Sequence, residues 1–254
     1  LIYFIEPKLI ILLLALPIMY ISSDKQKYYG GVAKEEIEAR WLNINEEEIR
    51  KKLLCEENLQ QVHGKKKLIR TMFKNPKAEK GYIRIRQEYS DDYHIKIYLT
   101  AKEFIKRDNK EFAMEDEIGF TNYSKAKLWL EKLGVKMNNI PDPLDKDFKT
   151  IELWLKQLGL IFKAYTESFR EKYKSDKCKE INIDTVPGLD PYLEIECMNE
   201  EELSKMAKRL GFKMEDANYG GYGNAYVKMY GFDSNVTSNV ITEFKFDTIK
   251  DQLG

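Results

Sequence analysis

A period of two dominates the middle of the chain. In "KEEIEARWLNI", residues 34–44, Ile37, Ala39 and Trp41 fall on one face of a strand, and Glu36, Glu38 and Arg40 on the other. The same pattern returns five times. Ile83 and Ile85 alternate with Arg84 and Arg86; Ile95, Ile97 and Leu99 with Lys96, Tyr98, Thr100 and then Lys102. Phe112, Met114, Ile118 and Phe120 oppose Glu111, Glu115 and Glu117. Ile181 and Ile183 oppose Asn182 and Asp184, and Leu193, Ile195 and Cys197 oppose Glu194 and Glu196. Runs at 66–74, 81–89, 92–101, 111–120, 160–174, 179–185 and 192–198 therefore read as strands, with a turn at Asp91–Asp92. Those around Arg70 and Arg170 alternate less cleanly.

Helical spacing fills the gaps. "NINEEEIRKKLLCEENLQ" reads as a helix capped by Asn45, with Ile49, Leu53 and Leu54 on its apolar side. Helices at about 123–134 and 147–159 close at Gly134 and Gly159, and share "LWLEKLG" and "LWLKQLG". One such pair is a local duplication, short of the three units a repeat architecture needs. A further helix runs from Asn199 to Gly211, and the tail to 254 is less regular, with Gly220, Gly221 and Gly223 in a loop. "GGYG" follows no strand and is no phosphate-binding glycine motif.

Charge changes the picture. With 42 basic and 42 acidic residues in 254, no global field recruits nucleic acid or an anionic surface. The charge is segregated by strand: Arg84/Arg86 and Lys96/Lys102 on two, Glu115/Glu117, Asp184 and Glu194/Glu196 on three, both signs on the first. A merely solvated face would mix Thr, Ser, Gln and Lys. Closing eight strands into a barrel, apolar faces outward beneath the helices, turns the charged faces into the lining of a tunnel. Its carboxylates suit a hard divalent cation, and its Arg and Lys donors suit phosphate oxygens. Two histidines, His63 and His94, argue against a histidine metal site, leaving oxygen ligands and Mg²⁺ or Mn²⁺. Three scattered cysteines, Cys55, Cys178 and Cys197, suggest a reducing compartment without a disulfide framework.

The apolar run "LIILLLALPIMYI", residues 9–21, is interrupted by Pro17 and short for a bilayer span. Two readings stay open: a membrane anchor, or an upstream extension before a true start at Met19. Residues 1–24 are therefore set apart from the tunnel domain, 25–212, and from a C-terminal extension, 213–254, expected to pack on the barrel.

"EIEAR" resembles the E-x-E-x-K signature of the CYTH, or triphosphate tunnel metalloenzyme, superfamily. "YIRIRQE" resembles its R-x-R strand, and "EINIDTVPGLDPYLEIECMNEEELSKMAKRLGF" its closing section, in order across about 34–212. The resemblance implies an α+β fold, an eight-stranded antiparallel tunnel with helices outside, binding a triphosphate with Mg²⁺ or Mn²⁺. It implies metal ligation by Glu36, Glu38, Glu117, Glu194 and Glu196, phosphate binding by Arg70, Arg84, Arg86, Lys102 and Arg170, and catalytic roles for Glu36, Glu38 and Arg40. Arg40 stands where the signature has Lys, and Ser168 near where members often carry another Lys. The expected activity is metal-dependent hydrolysis of inorganic, nucleoside or thiamine triphosphate. The alternatives are a class IV adenylyl cyclase and a non-catalytic polyphosphate-binding module. The expected partner is a triphosphate-containing small molecule, not nucleic acid. The expected location is cytoplasmic, at a membrane only through residues 9–21, and a homodimer is left open.

Overall fold

The computed structural model describes residues 34–78, 80–89, 95–107, 110–137, 139–219, 223–231, 233 and 240–253. The apolar run at 9–21, Met19, the Asp91–Asp92 turn, His94, Gly220 and Gly221 lie outside the described residues. Nine strands form among the described residues: β1 (Lys34–Trp41), β2 (Gln60–Lys74), β3 (Gly81–Tyr89), β4 (Ile95–Arg107), β5 (Lys110–Gly119), β6 (Phe162–Lys174), β7 (Cys178–Thr185), β8 (Tyr192–Cys197) and the short β9 (Glu243–Phe244). The helices are α1 (Glu46–Cys55), α2 (Tyr123–Lys132), α3 (Phe148–Gln157), α4 (Glu200–Arg209), α5 (Gly223–Tyr230) and α6 (Ile249–Leu253). None of them is long and apolar enough to cross a membrane.

The sheet order is β2-β3-β4-β5-β1-β8-β7-β6, and a further β2–β6 pairing closes the eight strands into an antiparallel barrel. The apolar halves of the alternating strands face outward into two cores. Ile83, Ile85, Ile97 and Leu99 pack with Trp129 and Leu130 of α2 and Trp154 and Leu155 of α3. Ala39, Trp41, Ile181, Ile183, Leu193 and Ile195 pack with Ile49 and Leu53 of α1 and Leu203 and Met206 of α4. The near-copies behave alike: Asn122 and Asp147 cap α2 and α3 through side-chain oxygens. Gly134 and Gly159 end them with φ of 80° and 89°, a conformation a Cβ disfavours.

Several boundaries move. The first helix, read through Gln60, ends at Cys55, because Gln60 pairs with Lys174 and β2 runs fifteen residues along β6. Glu56 and Glu57 fall in the turn between helix and strand, where Leu59 N donates to Glu56 O at 3.1 Å. The strand read at 92–101 extends to Arg107, held by the β4–β5 ladder. Gly223, read as loop, opens α5. The less clean alternation of β2 has a cause: Leu68 and Met72 share the lumenal parity of Arg70.

The cysteine reading is corrected. Cys178 and Cys197 oppose each other on β7 and β8 and form a disulfide, leaving Cys55 free and exposed. Their spacing of 19 residues resembles no disulfide motif; only strand pairing brings them together.

Candidate functional site

Strand parity carries the charged side chains inward. Glu36, Glu38 and Arg40 come from β1, Arg70 from β2, Arg84 and Arg86 from β3, and Lys102 from β4. Glu117 comes from β5, Arg170 from β6, and Glu194 and Glu196 from β8. Registers such as Arg70↔Arg86, Arg84↔Thr100, Thr100↔Glu117, Arg40↔Glu194, Asn182↔Glu194 and Arg170↔Asp184 keep one parity around the ring. All eleven residues singled out in the sequence therefore line one lumen.

The lumen divides into three charge environments. In the first, Lys102 Nζ stands 2.5 Å from Glu36 Oε2, 3.8 Å from Glu38 and 3.6 Å from Glu115. Burial pushes the Glu36 carboxyl up, Lys102 opposes, and Glu115, Glu38 and Glu196 push it further, to about 8. Burial likewise raises Glu196, against Lys179, to about 7. Carboxylate outnumbers ammonium here.

The second environment lies around β8. Arg40 reaches Glu38 at 2.9 Å and Glu194 at 2.6 Å. Arg170 donates to both Asp184 oxygens at 2.8 and 2.7 Å, to Glu180 at 3.0 Å and to Glu194 at 2.9 Å. Burial alone would raise Glu194, but Arg40 and Arg170 outweigh it and hold the carboxyl well below its ordinary range. In the third, Glu117 accepts from Thr100 at 2.7 Å and from Arg86 at 3.2 Å, with Arg84 at 3.7 Å. Arg70 donates to Ser168, the residue at the Lys departure, at 2.5 Å. Lys96 is exposed.

Among the described residues no three carboxylate, histidine or cysteine side chains stand close enough to hold a metal as placed. The donor set nevertheless fits a hard cation. Glu36, Glu38, Glu115 and Glu196 present only oxygen ligands; of these Glu38 also pairs with Arg40 and Glu196 with Lys179, whereas Glu194 is held by Arg40 and Arg170 together and Glu117 by Arg86. Glu115, Glu180 and Glu88 belong to the site but not to the residues singled out for it. Glu115 shows the right parity in the acidic strand, and Glu180 lies one step of two before Asn182.

Two surface clefts, of about 640 and 500 Å³, lie outside the barrel, beside Cys178 and α4, and beside Trp41 and α5. Neither brings opposed acidic and basic walls together as the lumen does.

No protein-family model matches the sequence, and no curated protein matches it. Solved structures do share the fold. A conserved hypothetical protein from Pyrococcus furiosus is 24% identical, with a TM-score of 0.51 over 74% of this chain and 98% of that one. A protein from Pyrococcus horikoshii OT3 is 20% identical, with a TM-score of 0.53 over 76% and 98%. A candidate adenylate cyclase from Vibrio parahaemolyticus is 10% identical, with a TM-score of 0.53 over 75% and 97%. The likeness is one of fold.

Proposed function

We propose that this chain, a closed eight-stranded tunnel of the CYTH type, is a metal-dependent hydrolase of triphosphate substrates. One observation carries the reading: a surplus of carboxylates (Glu36, Glu38, Glu115, Glu196) shares a lumen with the guanidinium groups of Arg70, Arg84 and Arg86. Glu36, Glu38, Glu115 and Glu196 would hold Mg²⁺ or Mn²⁺. Bound there, the cation would neutralise charge on phosphate oxygens and polarise phosphorus.

The chain's own groups supply the rest. Arg70, Arg84, Arg86 and Lys102 offer donors that match non-bridging phosphate oxygens, and they neutralise charge that builds on the leaving phosphate. Arg40 and Arg170 orient Glu194 and Asp184 and so hold the acidic wall in register.

A cyclase is the second reading. A structural neighbour is described as a candidate adenylate cyclase, and Tyr98, with the Arg86 guanidinium 5.1 Å from its ring centroid, offers a face on which a base could stack. Cyclisation asks more of the site, because ribose and adenine must also be held in attack geometry.

The test is purified protein with Mg²⁺ or Mn²⁺ and inorganic, nucleoside and thiamine triphosphates, with orthophosphate, pyrophosphate and cyclic AMP measured together. The expected result is orthophosphate release, with inorganic triphosphate turned over at least as well as ATP. Cyclic AMP as the main product from ATP overturns hydrolysis in favour of the cyclase. Metal-dependent binding without turnover makes the chain a polyphosphate-binding module.

A further inference from the structure

The Cys178–Cys197 bridge stands one residue from the acidic wall. Cys197 follows Glu196 on β8, and Cys178 opens β7 two residues before Glu180. The two strands run out of step here. Cys178 faces Cys197 and Glu180 faces Glu196, so an advance of two residues on β7 is matched by one on β8. Lys179 is the extra residue of a β-bulge. Regular alternation would send it outward with Ile181. The bulge breaks that alternation, and Lys179 Nζ donates to Glu196 Oε1 at 3.0 Å.

Glu196 faces Glu38 on β1 and Glu180 on β7, so Lys179 serves as its counter-ion among carboxylates. Glu196 is also one of the four carboxylates assigned above to the cation. The ammonium and a divalent cation therefore compete for it, since a carboxylate already neutralised attracts a second positive charge less. The Lys179 side chain is 64% exposed, against 12% for Glu196. Lys179 can swing into water at little cost.

What pins the bulge is the bridge. Cys178 is the first residue of β7, and a strand end frays unless it is tied. Met198 N donates to Lys177 O at 3.0 Å, Ser175 N to Cys178 O at 2.9 Å, and Cys178 N to Ser175 Oγ at 2.9 Å. Those bonds exchange with water, whereas the covalent link does not. The cleft of about 640 Å³ leads to this end: Cys178 lines it, with Lys177, Lys205, Lys208 and Arg209 against Asp176 and Glu202. That surplus of positive charge favours an approaching thiolate. Cys178 and Cys197 are themselves 1% and 6% exposed, so exchange follows fraying of the same strand end.

We propose that the Cys178–Cys197 bridge is a redox switch on cation affinity that acts through Lys179. Closed, it holds the ammonium on Glu196; open, it releases Glu196 to the cation. The reductant is a low-molecular-weight thiol. Its thiolate attacks Cys178 Sγ, the S–S bond breaks, and Cys197 leaves as a thiolate that takes up a proton. A second thiolate then displaces Cys178, which is protonated in turn. Two thiols give up two electrons and become one disulfide, and the two cysteines gain those electrons. The effect on the cation rests on the hydrolase reading; the Lys179 latch does not.

The test uses the full chain carrying Cys55→Ser, so that the bridge alone responds, in oxidised and phosphine-reduced forms freed of reductant. Electron paramagnetic resonance of free Mn²⁺ gives the affinity of each. The oxidised form is expected to bind Mn²⁺ about fivefold more weakly, the size of one partly exposed ion pair, and Lys179→Met to bring both forms to the tighter value. Equal affinities, or a gap that persists in Lys179→Met, overturn the switch. A second readout needs no metal: succinimidyl-ester labelling of Lys179, followed by mass spectrometry with the exposed Lys125 as internal standard. Lys179 should react about threefold more slowly in the oxidised form, and equal rates overturn the switch. Failure of both forms to bind Mn²⁺ overturns the cation reading alone, and the labelling arm still decides the latch.

Discussion

At Arg170 a single guanidinium donates to three carboxylates, Asp184, Glu180 and Glu194, across the seam between β6 and the acidic strands β7 and β8. Removing it leaves buried negative charge uncompensated. Arg170→Met is expected to cost about 3–5 kcal/mol, read as a lowered denaturant midpoint. Glu36 and Glu196 behave in the opposite way. Their carboxyls, pushed up to about 8 and about 7 from an ordinary 4.5, keep protons in the folded state that the unfolded chain has released. The folded state therefore binds more protons between about pH 4.5 and 8, and stability falls as pH rises through that window. The metal-free protein should melt higher at pH 5.5 than at pH 8.5, and Glu36→Gln should flatten the difference; an unchanged slope in that variant contradicts the assignment. Arg86 lies in the basic wall against Glu117. On the hydrolase reading Arg86→Ala lowers kcat on the order of 10²-fold in steady-state assays, as expected for a lost donor to transition-state charge.

At the scale of elements, the site depends on how strands are held rather than on their length. β8 is six residues long, yet it delivers Glu194 and Glu196 because it lies between β1 and β7 and beneath α4. Asn199 starts that helix by accepting from Glu202 N at 2.9 Å, so Asn199→Ala should cost about 1 kcal/mol in thermal or chemical unfolding. The Cys178–Cys197 disulfide ties β7 to β8 at the end of the strands away from Tyr192. It closes a short loop, and Cys178→Ala is expected to destabilise by about 3 kcal/mol relative to the oxidised protein. Thiol titration of the denatured, unreduced chain should find one thiol, Cys55; three thiols would show that the bridge does not form.

For the whole molecule, equal numbers of acidic and basic residues conceal a strong internal separation of charge. Acidic strands β5, β1, β8 and β7 are contiguous, and so are β4, β3, β2 and β6, which carry the basic groups. The two walls neutralise each other through direct ion pairs, so a polyanion with a divalent cation can replace contacts of like kind on both sides. Mg²⁺ with tripolyphosphate, at 100 times the Kd, should stabilise the fold by about 2.7 kcal/mol. Either component alone should do less, as a thermal melt would show.

The alternation of Ile and Val-like positions with Glu, Arg and Lys determined from the sequence alone that the strands have an apolar and a charged face, because strand parity is a local property. The ordered E-x-E, R-x-R and closing motifs likewise made the tunnel and its eleven lining residues legible. Which carboxylate meets which cation was not legible, since an ion pair such as Arg40–Glu194 joins positions 154 residues apart in sequence. It depends on register, which loops and helix packing set. For the same reason the Cys178–Cys197 bridge, the early end of α1 and the packing of residues 218, 223–231 and 240–253 on the barrel became apparent only in three dimensions. The sequence of that segment has no strong period; what gives it a place is the backbone of β1 and β6 with which it pairs and the apolar cluster around Val186 and Tyr192, which only the assembled barrel creates.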